Sequence, residues 1–198
     1  SQNINLVNID TQSFQNDWNI TQLFFTNCTS LTILNNSVFF NCYSIENVDF
    51  SGCTNLNIIG ASFFYRCNSI SLYNFTNCTN LTTINTSAFA TSSGQTNTSL
   101  TSIDFTDSIN LSYIGNTIFN YCVSLNSITF GGLVPREISS NAFTNIDPNA
   151  NIYANWWAGF ETSYNSVPVI QMYNDFTLNV ITDEYVSLII DLSLTSIT

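Results

Sequence analysis

Apolar residues recur along this chain at fixed offsets, while the polar letters between them vary. Residues 45–56 read IENVDFSGCTNL, the stretch 25 positions earlier reads ITQLFFTNCTSL, and the stretch 25 positions later reads ISLYNFTNCTNL. The phrase returns from Leu100 and, in decayed form, from Leu125. Aligned, its apolar positions form columns. The first holds Ile20, Ile45, Ile70, Leu100 and Leu125, and the second holds Leu23, Val48, Tyr73, Ile103 and Ile128. The third is all aromatic: Phe25, Phe50, Phe75, Phe105 and Phe130. Between these phrases lies a longer one, LTILNNSVFFNCYS, LNIIGASFFYRCNS and LSYIGNTIFNYCVS, which reaches Phe39, Phe64, Phe89 and Phe119. The N-terminal LVNIDTQSFQNDWN fits the same frame through Leu6, Ile9 and Phe14. Units of 11 and 14 residues alternate, giving about five coils of 25 residues.

One such coil cannot bury its own apolar face. Half a dozen apolar side chains at roughly 2 kcal/mol each fall short of the cost of ordering a coil at about 1.5 kcal/mol per residue. Stacked coils shield each other and make one continuous core, so each Phe is expected to meet its counterpart a coil away. The prediction is a mainly β solenoid of short parallel strands about 4.8 Å apart. The coil containing ATSSGQTNTS is longer by about five residues, and the insertion around Gly94 belongs on an outward turn.

After Pro168 the repeat grammar stops. DFTLNVIT and YVSLIIDLSLTSIT alternate with period two, with Val186, Leu188, Ile190, Leu192 and Leu194 on one side and TDEY as the turn. The expected layout is a solenoid over 1–160, with its cap near 146–165, and a β-strand tail over 166–198. Two readings of the tail stand: a hairpin covering the end of its own solenoid, or a strand exchanged with a neighbouring subunit.

Composition narrows the function. Hydrophobic residues make up 44% and charged ones only 8%, so Asn, Ser, Thr and Gln build the polar surface. Lys and His are absent, Arg66 and Arg136 are the only basic side chains, and the net charge is −11. This argues against nucleic acid and anionic lipid as partners, since both need clustered cations. No run of eighteen apolar residues exists, so direct membrane insertion by a helix is not expected. A start at Ser1 without an apolar leader reads as a mature secreted protein or as a trimmed chain. The uncharged surface favours the first, hence an extracellular or cell-surface location.

Catalysis has little to draw on. Without His or Lys no Ser-His, Cys-His or Ser-Lys arrangement exists, and the chain reads as a non-enzyme. Asp49 and Asp104 share a column, but Asn74 stands between them, which suggests solvated or ion-binding acids rather than a buried carboxylate pair. No cofactor is expected. Surface calcium is the one ion these acids suggest, and no D-x-D-x-D-G loop supports it. Six cysteines follow the repeat: Cys28, Cys53 and Cys78 in one column, Cys42, Cys67 and Cys122 in another, where Asn97 fills the gap. The spacing suits either a ladder of buried thiols or one or two disulfides between coils. Neither His nor C-x-x-C supports a metal site.

Two surface features remain. The outward positions of the short strands are Gln22, Phe24, Asn47, Asp49, Leu72, Asn74, Ser102, Asp104, Ser127 and Thr129. Repeat proteins bind over such extended faces. N-x-S/T acceptors occur at Asn19, Asn27, Asn35, Asn74, Asn77, Asn80, Asn85, Asn97 and Asn110. A chain this rich in Asn, Ser and Thr produces such triplets by chance. Asn77, Asn80 and Asn97 fall on predicted turns with room for a glycan.

The pattern L-x-x-L-x-L-x-x-C/N resembles the leucine-rich repeat signature. SVFFNCYSIENV and TIFNYCVSLNSI look like the BspA-like class of these repeats. The resemblance covers roughly residues 6–160, and even the exit NANIYANWWAGFETSYN is similar to the strand and short helix that often close such arrays. The usual coil is slightly shorter, and many relatives carry Lys where this chain carries Asn. The resemblance implies a cell-surface or secreted protein, often adhesive, without catalysis, and transfers no partner. Two functions stay open. One is a structural glycoprotein, a subunit of a surface layer or fibre that self-associates through solenoid ends or the tail. The other is an adhesin-like module whose strand face recognises a host, matrix or glycan partner.

Overall fold

The computed structural model describes residues 5–131, 135, 137–154, 163–164 and 166–171. Its strands are short and fall into two series. The long units supply β1 (Asn8–Ile9), β3 (Ile33–Leu34), β5 (Ile58–Ile59), β7 (Thr83–Ile84), β9 (Tyr113–Ile114) and β11 (Glu137–Ile138). The short units supply β2 (Gln22–Phe24), β4 (Asn47–Asp49), β6 (Leu72–Asn74), β8 (Ser102–Phe105), β10 (Ser127–Phe130) and β12 (Asn151–Ala154). β13 (Ser163–Tyr164) and β14 (Val167–Gln171) follow, and no helix occurs among the described residues.

The first series forms one parallel six-stranded sheet in chain order. Its register follows the repeat: Ile33 lies opposite Asn8 and Ile58, and Leu34 opposite Ile9 and Ile59. The longer coil keeps this register, with Thr83 opposite Tyr113, because the extra residues leave the wall. They fold as a small excursion tied by a bridge between Ser92 and Gln95, with Gly94 in open space.

The apolar columns line the interior as two files of stacked rings. In the short units Phe25 and Phe50 stack at 4.9 Å, Phe50 and Phe75 at 5.4 Å, Phe75 and Phe105 at 5.2 Å, and Phe105 and Phe130 at 5.9 Å. In the long units the file runs Phe14, Phe39, Phe64, Phe89, Phe119 and Phe143, with centroids 5.2 to 6.3 Å apart. Each ring buried this way adds its transfer free energy, of the order of 2 kcal/mol, and a smaller ring–ring contribution.

The stack has about six turns rather than five. The added coil contains β11 and Phe143, which the sequence columns did not reveal. Buried Pro135 stands where Leu31, Leu56, Leu81 and Leu111 stand in the other coils, so the leading letter of the motif is missing. The chain then continues the short series past the fifth phrase. β12 pairs with β10 in register, Ile152 opposite Ile128, and β14 pairs parallel with β12. β13 pairs antiparallel with β14 at the edge of that sheet. The helix expected in the cap falls on 155–162 and the hairpin on 172–198, both outside the described residues.

The segments between strands turn without becoming helical where residues take positive φ, two in each of four long units and one in each of the other two. One file is Gln12, Ser37, Ser62, Ser87 and Thr117, and the other is Asn16, Asn41, Arg66, Tyr121 and Asn145. A left-handed residue interrupts any helix, and short polar side chains tolerate that conformation best. The turns are still tied between coils. Ser37, Phe39 and Asn41 donate main-chain N–H to the carbonyls of Ala61, Phe63 and Tyr65, and Ser62, Phe64 and Arg66 repeat this one coil on. In the short units Asn27, Gly52 and Asn77 hold the positive-φ position. Gly52 needs its lack of a Cβ twice, for φ +74° and because the Asn27 side chain lies over its Cα.

Candidate functional site

Within each short strand the central residue points inward and its neighbours face out. All ten outward residues read from the sequence are solvent-accessible: Gln22, Phe24, Leu72, Ser102 and Asp104 are exposed, and Asn47, Asp49, Asn74, Ser127 and Thr129 are half-buried. The pairing sets them in two files, Gln22–Asn47–Leu72 and Phe24–Asp49–Asn74, which resume as Ser102–Ser127 and Asp104–Thr129. The face runs further than the sequence reading gave. Asn151 and Tyr153 on β12 extend both files, and Ile170 on β14 lies opposite Tyr153. The alternation of NIYA carried that signal but was absorbed into the expected cap. Three large apolar side chains project from this mostly polar surface, Phe24 at 69% exposure, Leu72 at 53% and Ile170 at 40%.

The acids of this face close turns. Asp49 Oδ1 accepts the N–H of Ser51 at 2.9 Å, Asn74 Oδ1 that of Thr76 at 3.1 Å, and Asp104 Oδ1 that of Thr106 at 2.8 Å. Asp49 Oδ2 also accepts the Thr26 hydroxyl at 3.0 Å. Burial pushes the Asp49 carboxyl up, but the hydrogen bonds from Ser51 and Thr26 outweigh it and hold its pKa below the usual value. The triplet D/N-F-S/T thus spells a turn that ends each strand. Among the described residues no group of three or more His, Cys, Asp or Glu side chains is placed to hold a metal ion.

The face is split. β2, β4 and β6 form one sheet, and β8 begins another with β10, β12, β14 and β13. At the two preceding steps Phe25 N–H bonds to Asp49 O at 2.7 Å and Phe50 N–H to Asn74 O at 2.8 Å, while Asn27 and Gly52 donate to Ser51 O and Thr76 O. At the split no such main-chain ladder forms, and Asn77 N–H turns instead to Asp107 Oδ2 at 2.8 Å. Two features coincide with the split: the longer coil with its insertion around Gly94 lies between β6 and β8, and Tyr73 stands in the inward column. Tyr73 replaces Leu23, Val48, Ile103 and Ile128, and its buried ring sits 4.7 Å from Phe89 and 5.3 Å from Phe64. The Phe75 and Phe105 rings accordingly tilt 31° apart, against 5 to 11° elsewhere in that file. The result is an open cleft of about 300 Å³ with Tyr73 and Phe75 in its floor. Leu72, Asn74 and Thr76 form one rim, and Asp104, Thr106 and Asp107 the other.

The cysteines belong to the wall rather than to any site. All six are buried thiols. Cys42, Cys67 and Cys122 donate Sγ–H to the carbonyls of Phe14, Phe39 and Phe89, and Cys53 and Cys78 to those of Phe25 and Phe50. Each of these five thiols thereby satisfies a carbonyl of the coil before it. Burial pushes Cys53, Cys78 and Cys122 up to about 12, which keeps them protonated and unreactive. Asn97 fills its gap in the column by the same logic, and this corrects its reading as a glycan acceptor. Only 2% exposed, it donates Nδ2–H to Ile70 O at 2.8 Å and accepts the N–H of Ser99 and Leu100. A glycan on that nitrogen would break into the core. Of the other acceptors, Asn19, Asn27, Asn77, Asn80 and Asn110 are exposed, and Asn35, Asn74 and Asn85 are half-buried. Asn35 and Asn85 spend their amide N–H on Ile9 O and Ile59 O of the preceding coil.

In-register coils, a phenylalanine spine and a Cys/Asn carbonyl-binding position define a leucine-rich-repeat solenoid. The chain belongs to the BspA-type leucine-rich repeat family, whose repeat region matches in six copies over residues 2–96 and 94–155. It is similar in structure to a leucine-rich cell surface protein from Faecalibacterium prausnitzii A2-165, at 17% identity and a TM-score of 0.49, over 74% of this chain and 42% of that one. A leucine-rich repeat protein from Bacteroides ovatus ATCC 8483 is similar at 16% identity and a TM-score of 0.27, over 84% of this chain and 64% of that one. The chain therefore spans less than two thirds of either protein's length. No curated relative matches the sequence.

Proposed function

We propose that this protein works outside the cell, at a cell surface, as a non-catalytic adhesin-like binding module that presents its short-strand face to a host, matrix or glycan partner. The observation that carries this reading is the exposure of Phe24 and Leu72, and of Ile170 on β14, on a face otherwise made mainly of amides, hydroxyls and turn-closing acids. Large apolar side chains isolated on a polar surface cost solubility and supply binding energy when covered. Family membership and the description of the Faecalibacterium protein as a cell surface protein support the location. The test is biolayer interferometry against a panel of extracellular-matrix proteins and glycans, comparing the native chain with a Phe24→Ser, Leu72→Ser variant whose circular dichroism is unchanged. Loss of the native signal in the variant is expected, and equal signals would sink the reading.

A second reading, a glycosylated structural subunit of a surface layer or fibre, draws on different features. Charged residues are only 8%, so the solenoid ends carry little repulsion. Among the described residues β1 and β2 each pair on one side alone, with Phe14 and Trp18 exposed beside them. Deleting residues 171–198 separates the two: a fibre subunit stops assembling under the electron microscope, whereas a binding module keeps its partner. In this reading at least two of the exposed acceptors carry sugar, and an intact mass equal to that of the bare polypeptide would remove the glycoprotein part.

A further inference from the structure

We infer that the cleft between β6 and β8 receives an arginine or lysine side chain from an extended segment of a partner protein; this rests on the binding-module reading. Three observations lead there. The first is the missing ladder. The Phe75 N–H and the Asp104 C=O correspond to groups that bond across the coils at the two preceding steps, yet no ladder joins β6 to β8. The strands on either side of the cleft are therefore not tied across it as the earlier coils are.

The second is charge. Asp104 and Asp107 stand on one rim, each with one carboxylate oxygen engaged by Thr106 or Asn77 and a second oxygen for an incoming donor. No cation offsets them among the described residues of the face, because Arg66 lies over the Tyr65 ring in the long unit. Such a rim repels sulfated or sialylated glycans and attracts guanidinium or ammonium groups, with Arg able to bind a carboxylate through two parallel bonds.

The third is size and lining. A cleft of about 300 Å³ is at the small end of ligand sites and suits one long side chain better than an oligosaccharide. Its apolar part, Leu72 on the rim and Phe75 in the floor, accepts the aliphatic stem of Arg or Lys while the charged head reaches the carboxylates.

The experiment is a titration of the isotope-labelled full chain with acetyl-Ser-Arg-Val-Ser-amide, read by amide chemical shifts. Its neutral twin carries citrulline for arginine, and N-acetyllactosamine serves as an uncharged sugar. Shifts are expected at Leu72, Asn74, Phe75, Thr106 and Asp107, weakening by about tenfold with the citrulline peptide and with each of Asp104→Asn and Asp107→Asn. Asn retains the acceptor oxygen for the turn, as Asn74 does in the same file, so these variants keep the fold. Binding should also weaken as salt rises. Equal binding of the citrulline peptide, indifference to both substitutions, no shift at millimolar peptide, or shifts at these amides from the sugar alone would each overturn the inference. The matrix and glycan panel with the Phe24 and Leu72 variant is read separately, so the wider reading can survive this one's failure.

Discussion

Replacing Phe64 by Ala should cost far more stability than the same change at Phe14, although both belong to one file of rings. The Phe64 ring lies between Phe39 at 5.5 Å and Phe89 at 6.3 Å, nearly parallel to both. Phe63, Phe50 and Tyr73 meet it at steeper angles, with centroids at 4.6, 6.3 and 5.3 Å. It is 1% exposed. Truncating a buried Phe costs about 3–5 kcal/mol through lost transfer energy and the cavity left behind, and loss of five ring neighbours places Phe64 near the top of that range. Phe14 is 42% exposed and, among the described residues, stacks on Phe39 alone, at 5.2 Å. Water can fill its place, so the loss is about 1–1.5 kcal/mol. Guanidinium unfolding of both variants, followed by far-ultraviolet circular dichroism, measures the difference as a shift in midpoint. Equal costs at the two positions, or a larger one at Phe14, would refute the idea that stability comes from rings held between neighbouring coils.

Backbone approach gives a second outcome. A Cβ on Gly60 would fall 2.5 Å from Leu34 O and 2.6 Å from Asn35 C, main-chain atoms of the preceding coil that cannot move aside. Gly60→Ala should cost about 1–3 kcal/mol, while Gly94→Ala, in open space, should be neutral or stabilise by up to about 1 kcal/mol; calorimetric melting temperatures that move together would contradict this. The thiols predict a third, in pH. Burial raises Cys53, Cys78 and Cys122 to about 12, and raises Cys67 and Tyr73 well above their ordinary values. Below the ordinary thiol pKa both folded and unfolded chains keep the proton and stability is complete. Above it only the unfolded chain ionises, so stability falls by roughly 1.4 kcal/mol per pH unit for each such thiol until the folded pKa is passed. Urea unfolding at mildly and strongly alkaline pH checks this, and a stability unchanged between the two would count against buried thiols.

The parts of the fold legible in the sequence were those written as apolar columns, since an inward position admits few residue types. Phe25 through Phe130 could be aligned because each must stack on its counterpart. The sixth turn could not, because Pro135 fills the leading leucine position by shape and leaves no matching letter. The turns were hidden for a different reason. Positive φ is met by Ser, Asn, Gln, Thr, Arg and Tyr alike, so no single letter marks it. Asn97 shows how one motif can carry two meanings: N-T-S reads as a glycan acceptor, yet burial gives the amide a structural role. The ten residues of the strand face were readable from alternation alone. The cleft was not, because neither feature that coincides with it announces a lost ladder: Tyr73 counts as apolar in a pattern, and the insertion between β6 and β8 leaves the register of the long-unit sheet intact.

The stacking of like residues from coil to coil is tested most directly by nuclear Overhauser contacts between phenylalanine rings in selectively labelled protein. Cross-peaks should link Phe39 to Phe64, Phe64 to Phe89, Phe25 to Phe50 and Phe50 to Phe75, in keeping with centroids 4.9 to 6.3 Å apart. Rings that show contacts only within their own coil, or only to water, would contradict the solenoid and the binding face built on it.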